Sequence, residues 1–171
     1  MSTPNTTPDA FAAEFEANTS YAASFSLRGL EAKAAKGLAV VTCMDSRIEP
    51  LPMLGLGPGD AKILRNAGAR VTEDVLRTLV LAVHLLGVER ILVVPHTRCR
   101  MSAEDEGKVH EAIFAASGID TRSLELRPSP DVRGALRGDV QRIVSSPYVP
   151  DSVAVGGAVY DVDTGLLERV V

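Results

Sequence analysis

A chain of 171 residues with 46% hydrophobic and 23% charged side chains suits one globular domain, which excludes a wholly disordered or collagen-like protein. Its net charge of −4 leaves no cationic surplus for phosphate contacts, so no nucleic acid partner is expected. No apolar run approaches the ~20 residues that a membrane-spanning helix needs, so no membrane partner is expected either.

Residues 1–9 are polar and lack the basic and apolar regions of a secretory signal, which predicts a cytoplasmic protein. In a reducing compartment its two cysteines, Cys43 and Cys99, are expected as free thiols or metal ligands rather than as a disulfide. Thr7-Pro8-Asp9 predicts a helix start, with Thr7 at the cap and Pro8 in the first turn. Phe11 and Phe15 are four apart, as are Tyr21 and Phe25, and such an aromatic arm has to bury its rings against its own body or a second subunit. Residues 27–36 read as a short helix ended by Gly37, so that residues 1–37 form an N-terminal helical arm and residues 38–171 an α/β domain, within a single domain overall.

Leu38-Ala39-Val40-Val41-Thr42 predicts a buried strand that stops at Cys43-Met44-Asp45-Ser46-Arg47. A Pro- and Gly-rich stretch, residues 48–60, reads as loop or short helix. A second strand is expected over residues 61–65, followed by Asn66-Ala67-Gly68. The clearest helix spans residues 72–87, with Thr72 as cap, Glu73 and Asp74 at its positive end, and Val75, Leu76, Leu79, Val80, Val83 and Leu86 on one face. Residues 90–95 form a third strand that ends at His96. Ser102-Ala103-Glu104-Asp105 resembles a capping box opening a helix to about residue 117. Ser129-Pro130-Asp131 opens another, with Val132, Leu136, Val140, Ile143 and Val144 inward and Gly134 and Gly138 weakening it. Residues 153–162 make a fourth strand, which Asp163-Thr164-Gly165 turns into residues 166–171. This alternation predicts an α/β fold with a mainly parallel central sheet flanked by helices.

Two short motifs end two of the predicted parallel strands, the sheet edge at which open α/β folds bind ligands. In Cys43-x-Asp45-x-Arg47 extended backbone would project all three side chains to one side. In His96-x-x-Cys99 two side chains can meet across one turn. Two thiolates, an imidazole and a carboxylate suit a tetrahedral Zn²⁺ ion. The bland readings are that the cysteines are small core residues and that Asp45 and Arg47 are a structural ion pair. His84 and His110 have charged neighbours, lie away from strand ends and read as solvated. Asp161-Val162-Asp163-Thr164-Gly165 reads as a turn rather than a calcium loop.

Val41-Thr42-Cys43-Met44-Asp45-Ser46-Arg47, Arg65-Asn66-Ala67-Gly68 and His96-Thr97-Arg98-Cys99 resemble, in order, the signature blocks of the β-class carbonic anhydrases. The segment from Gly156 to Gly165 is similar to that family's last strand and turn. The resemblance implies a β-carbonic anhydrase-like fold, zinc bound by Cys43, His96 and Cys99, and a catalytic carboxylate–guanidinium pair, Asp45 and Arg47. Asp45 would either orient the zinc-bound nucleophile or itself occupy the fourth metal position. Amides around Ala67 and Gly68 would help bind bicarbonate. The implied reaction is reversible hydration of carbon dioxide. Hydrolysis of carbonyl sulfide or carbon disulfide at the same zinc, or a non-catalytic metal- or anion-binding homologue, are the alternatives. A homodimer or a dimer of dimers is implied as well. Two arginines depart from the family pattern: Arg100 stands where the family has glycine, and Arg98 adds a second cation in the same turn, where it could attract bicarbonate, plug the entrance or point outward.

Overall fold

The computed structural model describes residues 9–171; the expected cap at Thr7 and Pro8 lies outside them. The chain divides into two compact units, one running to Leu30 and the other spanning Glu31–Val171.

The first unit holds helix α1, Ala12–Ala23, which has no buried residue. Phe11 and Phe15 are 64% and 68% exposed, and the Tyr21 and Phe25 rings lie 5.6 Å apart in a tilted pair. The short helix expected over residues 27–36 does not form. Gly29 takes a left-handed φ of +88°. The later amides are drawn away from any helical ladder: Ala34 N–H donates to Leu86 O, Ala35 N–H to Gly59 O and Lys36 N–H to Asp60 O.

The second unit is built on five strands: β1 Leu38–Cys43, β2 Ala61–Asn66, β3 Arg90–Val94, β4 Ala154–Tyr160 and β5 Leu167–Arg169. They lie in the order β2-β1-β3-β4-β5, with the first four parallel and β5 antiparallel to β4. Central β1 is buried from Ala39 to Cys43, as expected of a parallel strand covered on both faces. One buried polar side chain on it is satisfied, since Thr42 Oγ1 donates to Val94 O at 2.8 Å.

Helix α2, Glu73–Leu85, begins where the sequence places it: Thr72 caps it by accepting from Val75 N–H. Its Val75, Leu79 and Ala82 join Leu136, Val140 and Ile143 of helix α4, Val132–Val144, in one core with Ala39, Val41, Ile91 and Val93. Asp131 caps α4 by accepting from Gly134 N–H at 2.8 Å. Val144, expected inward, is 51% exposed: it is the last residue of the helix, and its neighbour Ile143 takes the core position.

Helix α3, Glu106–Ser117, starts later than the Ser102 capping box predicts. Asp105 is the cap and accepts from Lys108 N–H at 3.0 Å. The Ser102 hydroxyl is engaged elsewhere, donating to Cys99 O at 2.8 Å and closing a short 3-10 turn, Arg100–Ser102. His84 is exposed as expected. The His110 side chain is only 10% exposed instead of solvated, since its Nδ1 pairs with Thr121 Oγ1 beyond the helix end. The Asp161 carboxylate accepts from Asp163 and Thr164 N–H, so that segment is the expected turn.

The strand order puts the site where it is. From β1 the chain adds β2 on one side, then crosses to β3 on the other, so the direction of winding reverses between the C-terminal ends of β1 and β3. A crevice opens at such a reversal. Cys43 ends β1, and His96 follows β3 by two residues.

Candidate metal centre

Cys43 is the last residue of β1, level with Asn66 at the end of β2. His96 is fixed by continuation of the β3–β4 ladder: it bridges Tyr160, Tyr160 N–H donates to Pro95 O, and Thr97 N–H donates to Tyr160 O. Cys99 opens the turn that Ser102 closes. The three side chains are buried, and their donor atoms all lie within 4.8 Å of one another.

The two sulfurs are 3.9 Å apart. Two thiolates on one tetrahedral zinc, each at about 2.3 Å, stand roughly 3.8 Å apart. His96 supplies the sharper test. Its Nδ1 lies 2.9 Å from Thr97 O, which can only accept, so Nδ1 carries the proton and Nε2 presents a lone pair. That Nε2 is fully buried and has no hydrogen-bond partner, an arrangement that costs stability unless a Lewis acid takes the lone pair. The donor set therefore fits a zinc-like ion. Ile48, Met53, Met101 and Tyr160 pack around the thiols as an apolar shell. The Cys43 thiol is lowered, chiefly because Cys99 S–H is placed to donate to it, with the Gly68 N–H assisting and burial opposing. Cys99 is correspondingly raised, since it keeps the shared proton and burial disfavours a second anion.

Asp45 and Arg47 meet beside this group, though not through extended backbone, because β1 ends at Cys43. The Asp45 carboxylate accepts the Arg47 backbone N–H at 3.0 Å, and that turn brings the guanidinium back onto the carboxylate. Arg47 then donates from Nε to Oδ1 at 2.9 Å and from Nη2 to Oδ2 at 2.7 Å, a two-point pair. A further Nη2 contact, 3.2 Å to Arg98 O, fixes the guanidinium from behind. Arg47 side-chain and backbone donors hold the Asp45 carboxyl well below the usual carboxylate range. Oδ2 of Asp45 stands 3.8 Å from His96 Nε2 and is committed to Arg47.

Ala67 and Gly68 belong to a 3-10 turn, Ala67–Ala69, beside the sulfurs, and Gly68 N–H donates to Cys43 Sγ at 3.4 Å. Arg98 and Arg100 are both exposed, and the Arg98 guanidinium pairs with Asp163 in the β4–β5 turn. One contributor escapes sequence reading. Arg65, next to last in β2, donates to Cys43 O at 2.9 Å and to Asp45 O at 2.6 Å, tying down the backbone that carries both side chains. Its signal is register: a β2 residue paired with Thr42 lies one step from Cys43.

A family model described as carbonic anhydrase matches residues 38–124. Beta-carbonic anhydrase 1 of Mycobacterium tuberculosis is 39% identical over 157 residues, covering 90% of this chain and 93% of that protein. The chain belongs to the β-carbonic anhydrase family. The crystal structure of carbonic anhydrase from Streptococcus mutans aligns with a TM-score of 0.89 at 36% identity, over 96% of this chain and 99% of that one. A protein named carbon disulfide hydrolase, from Acidianus, is 33% identical over 76% of this chain and 75% of its own length. The β-carbonic anhydrase fold and the metal-capable Cys–His–Cys group thus agree with the resemblance carried by the motifs. Among the described residues no helix is long and apolar enough to cross a membrane.

Proposed function

We infer that this protein catalyses the reversible hydration of carbon dioxide, CO₂ + H₂O ⇌ HCO₃⁻ + H⁺, at one zinc ion per chain held by Cys43, His96 and Cys99. The observation that carries this reading is the buried, unpartnered His96 Nε2 beside two thiols, with the Asp45–Arg47 pair alongside. A zinc ion held there would supply, near neutral pH, a water acidified enough to act as nucleophile. Asp45, kept ionised by Arg47, accepts a hydrogen bond from the attacking water and aims its lone pair at the carbon. Arg47, anchored also on Arg98 O, keeps that carboxylate from closing on the lone pair of His96 and the space in front of it. Gly68 borders the same space with its N–H on Cys43 Sγ, and the family resemblance makes it and Ala67 the expected contacts for bicarbonate. The exposed side chains of Arg98 and Arg100 support an open entrance rather than a plugged one.

The test is elemental analysis of the purified protein followed by stopped-flow CO₂ hydration. The expected result is one zinc per chain and a rate that rises with pH between about 6.5 and 9, the range of zinc-water ionisation. Metal-free protein, or zinc-loaded protein that gives a flat baseline, refutes the reading. The relative named for carbon disulfide hydrolysis gives a second reading its footing. Assays with carbon disulfide and carbonyl sulfide on the same preparation separate the two, since that reading requires sulfide release to exceed CO₂ hydration.

The working unit we propose is a homodimer, or a pair of such dimers. Phe11, Phe15 and Tyr21 are exposed by more than half, which is costly for aromatic rings unless a second copy covers them. Both cysteines are free, which supports a reducing, cytoplasmic setting.

A further inference from the structure

Gly68 reaches Cys43 from a turn that is not relaxed. Gly68 has φ +80°, and the next residue, Ala69, sits in the same left-handed region at φ +58° while 99% buried. An L-residue held there persists only when its surroundings over-determine the backbone. The upstream clamp is Asn66, whose Oδ1 accepts Arg70 N–H at 2.9 Å and whose Nδ2 donates to Arg70 O at 2.7 Å. The downstream clamp is the Arg70 side chain. Its Nε donates to Asp139 Oδ2 at 2.6 Å, and its Nη1 donates to Arg127 O at 2.8 Å. Asp139 lies on α4, with a side chain 8% exposed, and pairs with an arginine 21% exposed. Both line a narrow cleft that also touches His96, Cys99 and Gly68.

We propose that Arg70 and Asp139 are positioning residues for the metal centre: their ion pair holds the strained 67–69 turn in place and so keeps the Gly68 N–H on the Cys43 sulfur. The ion pair spans 69 residues of sequence and joins the sheet edge to α4. Breaking it lets the turn relax toward ordinary backbone, which withdraws a hydrogen bond from a metal-binding sulfur. Hydrogen bonds to metal ligands govern metal retention in this way. The consequence for zinc rests on the function proposed above; the consequence for Gly68 does not.

Two variants of the full chain test it. Asp139→Asn removes the charge that holds Arg70. The double variant R70M/D139L removes the pair without leaving a buried charge behind, a replacement that folded proteins tolerate well. Hydrogen exchange on zinc-free protein should show the Gly68 amide exchanging at least about tenfold faster in both variants, with Val41 in β1 unchanged. Zinc release to a chelator should accelerate by about tenfold in both. A Gly68 amide as protected as in wild type, or zinc release within twofold of wild type, overturns the proposal. If the wild-type protein carries no zinc, the proposed function falls, while Gly68 exchange alone still decides the clamp.

Discussion

Gly68→Ala probes the site with a single methyl group. A Cβ at position 68 would lie 3.2 Å from Met101 Cβ and 3.5 Å from Arg70 Cγ, with the backbone held at φ +80°. Two costs combine. A non-glycine residue in the left-handed region loses about 1–2 kcal/mol. The contact with Met101 involves an atom next to the main chain, so the neighbour has to shift by a few tenths of an ångström, adding roughly 1 kcal/mol on the scale of overpacked cores. Gly118→Ala is the control: its φ is +72°, and no atom lies within 4 Å of the added Cβ, so only the first cost applies. For a chain of this size each kcal/mol shifts Tm by about 2–4 °C. Gly118→Ala should therefore lower the Tm of zinc-free protein by about 2–8 °C, and Gly68→Ala by about 2–4 °C more. Only Gly68→Ala should weaken zinc binding, by about tenfold in a chelator competition, since it alone displaces the N–H on Cys43. Equal stability losses in the two variants, together with unchanged zinc affinity, would refute the reasoning.

Arg47→Ala frees a carboxylate whose Oδ2 stands 3.8 Å from His96 Nε2, so CO₂ hydration should fall by about 100-fold while zinc release slows, both read on one preparation. Retention of more than a third of the wild-type rate would dismiss the role given to this pair. In zinc-free protein Asp45 is held below the ~3.9 of an unfolded aspartate, so its pairing stabilises the fold above about pH 4 and is lost as pH falls through the lower folded value. Urea midpoints of wild type and Arg47→Ala should accordingly differ by a constant amount from pH 6 to 8 and converge in more acid solution. Replacing Phe11 and Phe15 by serine should shift the sedimentation velocity profile from dimer toward monomer; an unchanged profile would remove the arm from the interface. Arg100→Ala should leave CO₂ hydration within twofold, because the side chain is exposed, whereas a tenfold gain would mean that the guanidinium obstructs the entrance.

The parts legible in the sequence are those that local chemistry dictates. The apolar run ending at Cys43, the strand ending before His96 and the Thr72 cap of α2 each carry their signal within a few residues, and each forms as read. Cys43, His96 and Cys99 were legible as a group because both cysteines of the chain fall in the two short motifs that follow β1 and β3, and the parallel pairing of those strands brings the motifs together. Misreadings occur where a distant partner overrides a local preference. Residues 27–36 have helical composition, but the amides of Ala34, Ala35 and Lys36 answer to Leu86, Gly59 and Asp60. Ser102 has the sequence surroundings of a cap, but Cys99 O takes its hydroxyl and Asp105 caps α3 instead. Arg70 and Asp139 give no local sign at all, because neither the left-handed Ala69 nor the approach of α4 is written in their neighbours.

Cys43 closes β1 and His96 follows its parallel neighbour β3 by two residues, so the register of one sheet sets the spacing of two of the three donors. Small zinc-finger modules, by contrast, gather their ligands only as they fold around the ion. Here the sheet supplies that spacing, so loss of the ion would take the occupant from the site and leave its scaffold.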